Sequence, residues 1–168
     1  MGMFKYVCIC FLLSFVGCAG MQVLPEGDKT VTSVVDIPGK TKDQIYIGAK
    51  TWIAETFRSA KAVVEVDSKE DGLIIGNGNI PYPCAGASDC IGTSTFKVGF
   101  TMKCEIKDAK YRVIFSNIRI LTPGQAGVYS PGDNPIYWQK DMDKIKPRLL
   151  QLSDELASSI KGQSKSDF

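Results

Sequence analysis

The sequence predicts an α+β fold in which an antiparallel sheet carries two helices on one of its faces. Residues 96–107 alternate apolar and polar side chains, which is the period of a half-buried strand. Residues 41–57 and 142–156 repeat apolar side chains every three or four positions, as amphipathic helices do. The patterns run strand, helix, four strands, helix, so both apolar stripes must pack on one sheet in a two-layer sandwich.

The first strand and the first helix are predicted before residue 60. Residues 32–37 are rich in β-branched side chains, and Pro38 and Gly39 end that strand. Thr41 and Gln44 have the spacing of a capping box, in which each side chain bonds the other residue's backbone N–H. The helix that follows carries an apolar stripe formed by Ile45, Ala49, Trp52, Ile53 and Phe57.

The next two strands are predicted at residues 62–67 and 73–79, on either side of a polar turn. Alternation in the first of them puts Val64 and Val66 on one face. Gly76 and Gly78 in the second indicate a bulge or the close approach of another group.

Residues 96–107 and 110–120 are predicted to form a hairpin around a two-residue turn at Asp108 and Ala109. Pairing Lys107 with Lys110 extends the apolar face of the first strand with Tyr111, Val113 and Phe115. The opposite face of the second strand then carries Arg112, Ile114, Ser116, Ile118 and Ile120.

Two segments without periodicity are predicted to be loops, at residues 81–94 and 122–138. The final helix contains Pro147, which predicts either a kink or a new first turn at that point. Residues 162–168 are predicted to be a disordered polar tail.

The first 19 residues predict export. Lys5 provides a positive charge, residues 6–16 are apolar, and small residues flank Cys18, which is the layout of a secretory signal. The apolar run is shorter than the roughly 20 residues of a membrane-spanning helix. Residues 15–18 resemble a bacterial lipobox, in which Cys18 would be lipidated and become the first mature residue. An ordinary secretory cut after Ala19 is the alternative.

These signals divide the chain into a signal peptide (1–17), a lipidated cysteine with a tether (18–31), a domain (32–161) and the tail (162–168). Two acyl chains suffice to hold a protein on a bilayer. We therefore expect a lipid-anchored protein of the bacterial cell envelope, on the outer membrane and facing the periplasm.

Composition excludes several classes of chemistry. The chain has no histidine, so histidine-dependent triads and histidine-ligated metals are impossible. Loss of Lys5 with the signal leaves 19 basic and 18 acidic residues, a net charge of +1 that does not suit a nucleic-acid partner. No cofactor and no metal are predicted.

Three cysteines belong to the predicted domain. Cys84 and Cys90 are close together in a loop, and export to an oxidising compartment favours a disulfide between them. Two free thiols on a loop are the alternative. Cys104 lies on the apolar face of a strand and is predicted to be a buried free thiol.

Two stretches of the chain carry a family resemblance: VVDIPGKTKDQIY, followed by Trp52, and EIKDAKYRVIFSNI. With the lipobox and the element order, residues 32–120 resemble domain-of-unknown-function family 4468, which occurs in exported proteins of Bacteroidetes. The resemblance implies a TBP-like fold with the order β-α-β-β-β-β-α. The matching motifs are structural, so the resemblance implies no catalytic residues. The cysteine loop is not part of this resemblance.

Three sets of residues are candidates for function. Glu65, Asp67, Glu70 and Asp71 cluster at a turn, but their spacing matches no calcium loop and a solvated turn is the simpler interpretation. The predicted open face of the sheet carries Lys97, Lys103, Lys107 and Arg112. These cations could bind an anionic glycan, a lipid headgroup or an acidic protein, or could only keep the face soluble.

The third set lies in the loop at 122–138 and comprises Tyr129, Tyr137 and Trp138. Such aromatic side chains either anchor a sugar or protein partner or fold back over the edge of the core. The sequence thus predicts a non-catalytic binding domain whose partners are the membrane, through the lipid, and an envelope protein or glycan. The alternatives are a structural subunit of an envelope assembly and a hydrolase without a recognisable motif.

Overall fold

A computed structural model describes residues 24–57, 64–123 and 135–162. After a short 3-10 helix (Glu26–Lys29), the elements are β1 (Val31–Asp36), α1 (Lys42–Thr56), β2 (Val64–Ser68), β3 (Leu73–Pro81), α2 (Ala87–Thr93), β4 (Lys97–Lys107), β5 (Lys110–Leu121) and α3 (Gln139–Gly162). The five strands form one antiparallel sheet in the order β1-β5-β4-β3-β2. The predicted α+β architecture is confirmed.

The β4–β5 hairpin has the predicted register. Lys107 lies opposite Lys110 across a turn in which Ala109 adopts a positive φ of 59°. Because directly opposite residues point to the same face, Tyr111, Val113 and Phe115 join Ile106, Cys104 and Met102 on one side of the sheet. All six of these side chains are buried.

The two long helices pack on that buried face. The predicted capping box at the start of α1 is present, with Thr41 and Gln44 each bonding the other's backbone N–H at 3.0 and 3.3 Å. In α3 the predicted stripe is buried, comprising Met142, Ile145, Leu149, Leu152 and Leu156. Pro147 lies on the exposed side of α3, within a helix that runs from Gln139 to Gly162.

Four aromatic side chains connect α1 to the centre of the sheet through edge-to-face contacts. Ring centroids lie 5.7 Å apart for Trp52 and Phe57, 6.0 Å for Phe57 and Phe100, and 5.3 Å for Phe100 and Phe115. A Cβ at Gly78 would lie only 3.0 Å from the Phe100 ring. The glycine therefore permits the close approach that the sequence indicated at this strand.

Two β-bulges change the predicted side-chain directions. Asn117 in β5 has a positive φ of 50°, and the β4–β5 register shifts beside it. As a result Ile118 is buried, although alternation had placed it on the open face. In β2 a second bulge pairs Val64 with Gly76 and Val66 with Ile75, so the two valines face opposite sides.

Three boundaries also differ from the sequence prediction. The segment at 81–94 contains the short helix α2, which buries no residue and so shows no apolar period. Residues 24–31 of the predicted tether pack on the domain, since Leu24 is buried and its N–H donates to Tyr137 O at 2.8 Å. Gly162 of the predicted tail ends α3, and the rest of that tail lies outside the described residues.

Candidate binding face

The side of the sheet opposite α1 and α3, which we call the open face, carries most of the predicted site residues. Strand register orders its side chains into rows that cross the strands. One row runs Val34, Arg112, Glu105, Leu73 and Ser68, and the next runs Thr32, Ile114, Lys103, Ile75 and Val66. The face is thus a mixed surface, in which aliphatic side chains surround a charged centre.

Glu105 is the centre of the charged group. Its carboxylate accepts hydrogen bonds from Lys103, at 2.8 Å, and from Arg112 on the neighbouring strand. The bond from Lys103, which has the larger effect, and the bond from Arg112 hold the pKa of the Glu105 carboxyl below its usual range. One carboxylate therefore already engages two of the four predicted cations.

Two shallow depressions adjoin this group at the hairpin end of the open face. The first has a volume of about 220 Å³, and its lining includes Val34, Lys110 and Arg112. The second has a volume of about 420 Å³ and is lined in part by Lys42, Leu73 and Lys107. Together their linings contain five cations and two carboxylates, a net charge of +3.

Lys107 and Lys110 are the most available cations of these depressions. Both are exposed, and neither forms an ion pair with any residue that the structure describes. Lys42, by contrast, donates from its Nζ to Glu70 O at 2.6 Å. An incoming anion would therefore meet Lys107 and Lys110 first.

Three more of the predicted binding residues, Lys97, Tyr137 and Trp138, lie away from the hairpin end of the open face. Lys97 pairs with Leu121, ten residues along β4 from Lys107, which corresponds to roughly 33 Å of strand. Tyr137 and Trp138 immediately precede α3; Tyr137 is half exposed, and Trp138 O accepts from the Met142 N–H at 3.5 Å. Tyr129 lies outside the described residues. The predicted site is therefore divided between the two ends of the sheet.

The acidic cluster at the β2–β3 turn is dispersed among separate partners. Asp67 accepts from Lys50 at 2.6 Å and from Tyr46, and these two bonds lower the pKa of its carboxyl. Burial, together with the bond to Asp67, raises the pKa of Tyr46 to about 12. Glu65 instead accepts from Asn77 at 2.5 Å. No metal-binding group of His, Cys, Asp or Glu occurs in the described parts of the chain.

The cysteines adopt the predicted states. Cys84 and Cys90 form a disulfide that bridges the segment before α2 to the helix itself. Cys104 is a free and buried thiol. Burial raises the pKa of this thiol to about 12, which keeps it protonated and unreactive.

A second polar cluster joins α2 to α3 and was not predicted from the sequence. Tyr82 donates its hydroxyl to Asp141 at 2.9 Å, and Lys144 bonds Asp89 at 2.7 Å while lying 5.7 Å from the Tyr82 ring centroid. The Lys144 bond is the main reason that the pKa of Asp89 is lowered. Because α2 had been predicted as a loop, no local pattern could have brought these residues together.

Residues 32–120 match the domain of unknown function DUF4468 with TBP-like fold. The chain belongs to this family. A crystal structure of a TBP-like protein from Parabacteroides distasonis aligns with 83% of this chain and 97% of its own, at a TM-score of 0.60 and 13% identity. A DUF4468 family protein from Bacteroides ovatus aligns with 84% of this chain and 89% of its own, at a TM-score of 0.53 and 14% identity. No curated protein matches the sequence.

At these identities the two solved structures establish the fold of the DUF4468 domain alone. They confirm the TBP-like arrangement that the family resemblance implied for residues 32–120. Within the described residues, no helix is both long enough and apolar enough to cross a membrane.

Proposed function

We propose that this DUF4468 protein is a lipid-anchored component of the bacterial cell envelope. Its domain, in this proposal, binds an anionic glycan through the hairpin end of the open face and catalyses no reaction. The observation that carries the proposal is the pair of adjoining depressions with a net charge of +3, in which two cations form no ion pair with the residues that the structure describes.

The mixed character of the face favours a glycan among anionic partners. Val34 contributes an apolar side chain to the lining of the first depression and Leu73 to that of the second, and both linings also contain lysines. The rings of acidic sugars carry both apolar C–H surfaces and carboxylates. The aliphatic side chains of the depressions can contact the first, and the lysines can bind the second. A bare anion would leave these apolar side chains without a partner.

The proposal of a non-catalytic role is supported by the state of the side chains that could act as nucleophiles. The Cys104 thiol is buried with a raised pKa, Cys84 and Cys90 are bridged, and the chain has no histidine to activate a serine. Glu105 is held ionised by Lys103 and Arg112, which does not suit a general acid.

The glycan proposal is tested by binding of oligogalacturonate, with neutral maltohexaose as the matched ligand. Lys107→Glu combined with Lys110→Glu removes the two available cations, and we expect affinity for oligogalacturonate to fall at least about tenfold. Lys146→Glu, an exposed charge reversal on α3, is the matched control and should bind like the wild type. Equal affinity of the double variant, or tighter binding of maltohexaose, would contradict the proposal.

The lipid anchor is supported by the signal layout around Cys18 and is tested separately. We expect Cys18→Ser to move the protein out of the membrane fraction or to leave the signal uncleaved. An unmodified mature N-terminus at Gly20, identified by mass spectrometry, would show an ordinary secretory cut instead.

A further inference from the structure

The outer edge of β1 presents a row of unused backbone groups. Ile37 N–H donates to Ala109 O at 2.7 Å, which shows that Ile37 points its backbone polar groups toward β5. Backbone direction alternates along an antiparallel strand, so residues 31, 33 and 35 share that direction. Thr32, Val34 and Asp36 therefore point their N–H and C=O groups away from the sheet.

This edge has no cover within the described parts of the chain. Thr32, Val34 and Asp36 make no backbone hydrogen bond beyond the sheet to any residue in those ranges. All three residues are exposed, and 62% of the Val34 surface is accessible. An exposed strand edge with an aliphatic centre is a template for pairing with another strand.

We propose that β1 pairs antiparallel with β1 of a second copy of this chain, across a two-fold axis at Val34. Thr32 then lies opposite Asp36 of the second copy, and Val34 lies opposite its counterpart. Each of the three outward residues donates one backbone bond and accepts another, so the edge strands exchange about six hydrogen bonds. This inference goes beyond the proposed function and does not depend on it.

The side chains of β1 are complementary to those of a second β1 in this register, which favours a second copy of the chain as the partner. The two valines meet at the axis, while the Thr32 hydroxyl donates to the Asp36 carboxylate on both sides. A register shift of two residues in one direction sets Val34 opposite Asp36. The same shift in the other direction leaves Asp36 beyond the end of the facing strand. The isologous arrangement is closed, so it produces a dimer and no longer polymer.

The consequence is a continuous sheet of ten strands, twice the five of one protomer. Directly opposite residues share a face, so both open faces lie on the same side. The depression lined by Val34 and Arg112 then adjoins its symmetry mate across the axis. The dimer would present one surface twice as long as that of the monomer.

Substitutions at Thr32 test the register through the sign of the charge they introduce. Thr32→Lys sets an ammonium opposite Asp36 of the second copy, and Thr32→Asp sets two carboxylates opposite each other. In full-length protein in detergent micelles, sedimentation equilibrium should show about fivefold tighter association for the lysine variant and about fivefold weaker association for the aspartate variant.

Comparing the two variants also shows whether the introduced charge alters the stability of the monomer. Thr32 and Asp36 of one chain are four residues apart, roughly 13 Å along the strand, so either charge perturbs the monomer little. Their thermal midpoints at concentrations where the protein is monomeric should agree with that of the wild type. A wild type and a lysine variant that remain monomeric, or a dimer that responds equally to both charges, would overturn the proposal.

Cysteine cross-linking provides a second readout. Val34→Cys places two thiols opposite each other at a Cα separation of about 5.5 Å, within the range that a disulfide spans. Ile91→Cys is the matched control, because Ile91 is a more exposed aliphatic residue at 83% and lies on α2, away from the edge. Mild oxidation should link the Val34 variant into covalent dimers and leave the Ile91 variant without an intermolecular disulfide. Equal cross-linking of both variants would rule out pairing through β1.

Discussion

The two faces of the sheet are built from the same strands and have opposite roles. On the helix-covered face Phe100, Cys104 and Val113 have no accessible surface, whereas Val34 on the open face is 62% exposed. Alternate residues of one strand thus belong to two environments. The covered face holds the fold together through apolar burial, and the open face leaves its side chains available to a partner.

This division means that stability and binding can be changed independently. Glu105 and Cys104 are neighbours in β4, yet one is ion-paired on the open face and the other is buried against the helices. A substitution at either position should therefore alter one property and leave the other nearly unchanged. The predictions below test that separation.

The largest difference between the faces is expected on truncating Phe100. This ring is buried and contacts Phe57 and Phe115 edge to face. Phe100→Ala removes these contacts and leaves a cavity, so the free energy of unfolding should fall by about 3–5 kcal/mol in denaturant titrations. The matched truncation on the open face, Val34→Ala, should change it by less than about 0.5 kcal/mol. A comparable loss for Val34→Ala would show that the open face is covered in the monomer.

The next effect compares two glycines at positive φ. Gly72 has a φ of 64°, and a Cβ there would lie 2.4 Å from Ile106 O, whereas Gly39 has a φ of 78° and open space around it. Gly39→Ala should cost about 1 kcal/mol from backbone strain alone. Gly72→Ala adds a backbone clash between β4 and the β2–β3 turn, and should lower the free energy of unfolding by about 3 kcal/mol. Equal losses in thermal denaturation would mean that the turn moves away freely.

The sequence predicted the covered face well because local rules determine it. Period-two alternation identified the buried side chains of β4, and the short turn at Asp108 fixed the register of β5. The capping box located the start of α1 to the residue. Each of these signals lies within a few positions along the chain, which is the range over which such patterns act.

The open face was predicted less completely because its order depends on long-range pairing. The bulge at Asn117 reverses the direction of Ile118, and a single residue in a left-handed conformation leaves little sequence signal. The predicted cations were placed on one face, and the separation of Lys97 from Lys107 follows from their positions at the two ends of β4. The predicted pairing of Lys107 with Lys110 already sets Glu105 opposite Arg112, so this ion pair follows from the hairpin register.

The third effect concerns the disulfide between Cys84 and Cys90, which lies outside the sheet strands. Replacing Cys84 and Cys90 with serine should lower the free energy of unfolding by about 2 kcal/mol, since the loop between them is short. Binding at the open face should be unaffected. Among these two cysteines and Cys104, alkylation should label none in the native protein and Cys104 alone after unfolding without reductant. Native labelling of Cys84 and Cys90 would show an open loop.

The smallest effect is expected at Glu105, whose ion pairs lie on the open face. Glu105→Gln should change the free energy of unfolding at neutral pH by less than about 1 kcal/mol, because the side chains of Lys103 and Arg112 are about half exposed to solvent. The pKa of the Glu105 carboxyl is lowered in the folded state, so its contribution is present above the unfolded pKa of about 4.5 and is lost as pH falls through the folded value. Stability measured from pH 6 to pH 3 should therefore decline less steeply in the glutamine variant than in the wild type. The difference should also shrink in high salt, because ions screen exposed pairs. Parallel pH profiles for the two proteins would mean that Glu105 contributes nothing to the fold and that the open face is electrostatically neutral toward folding.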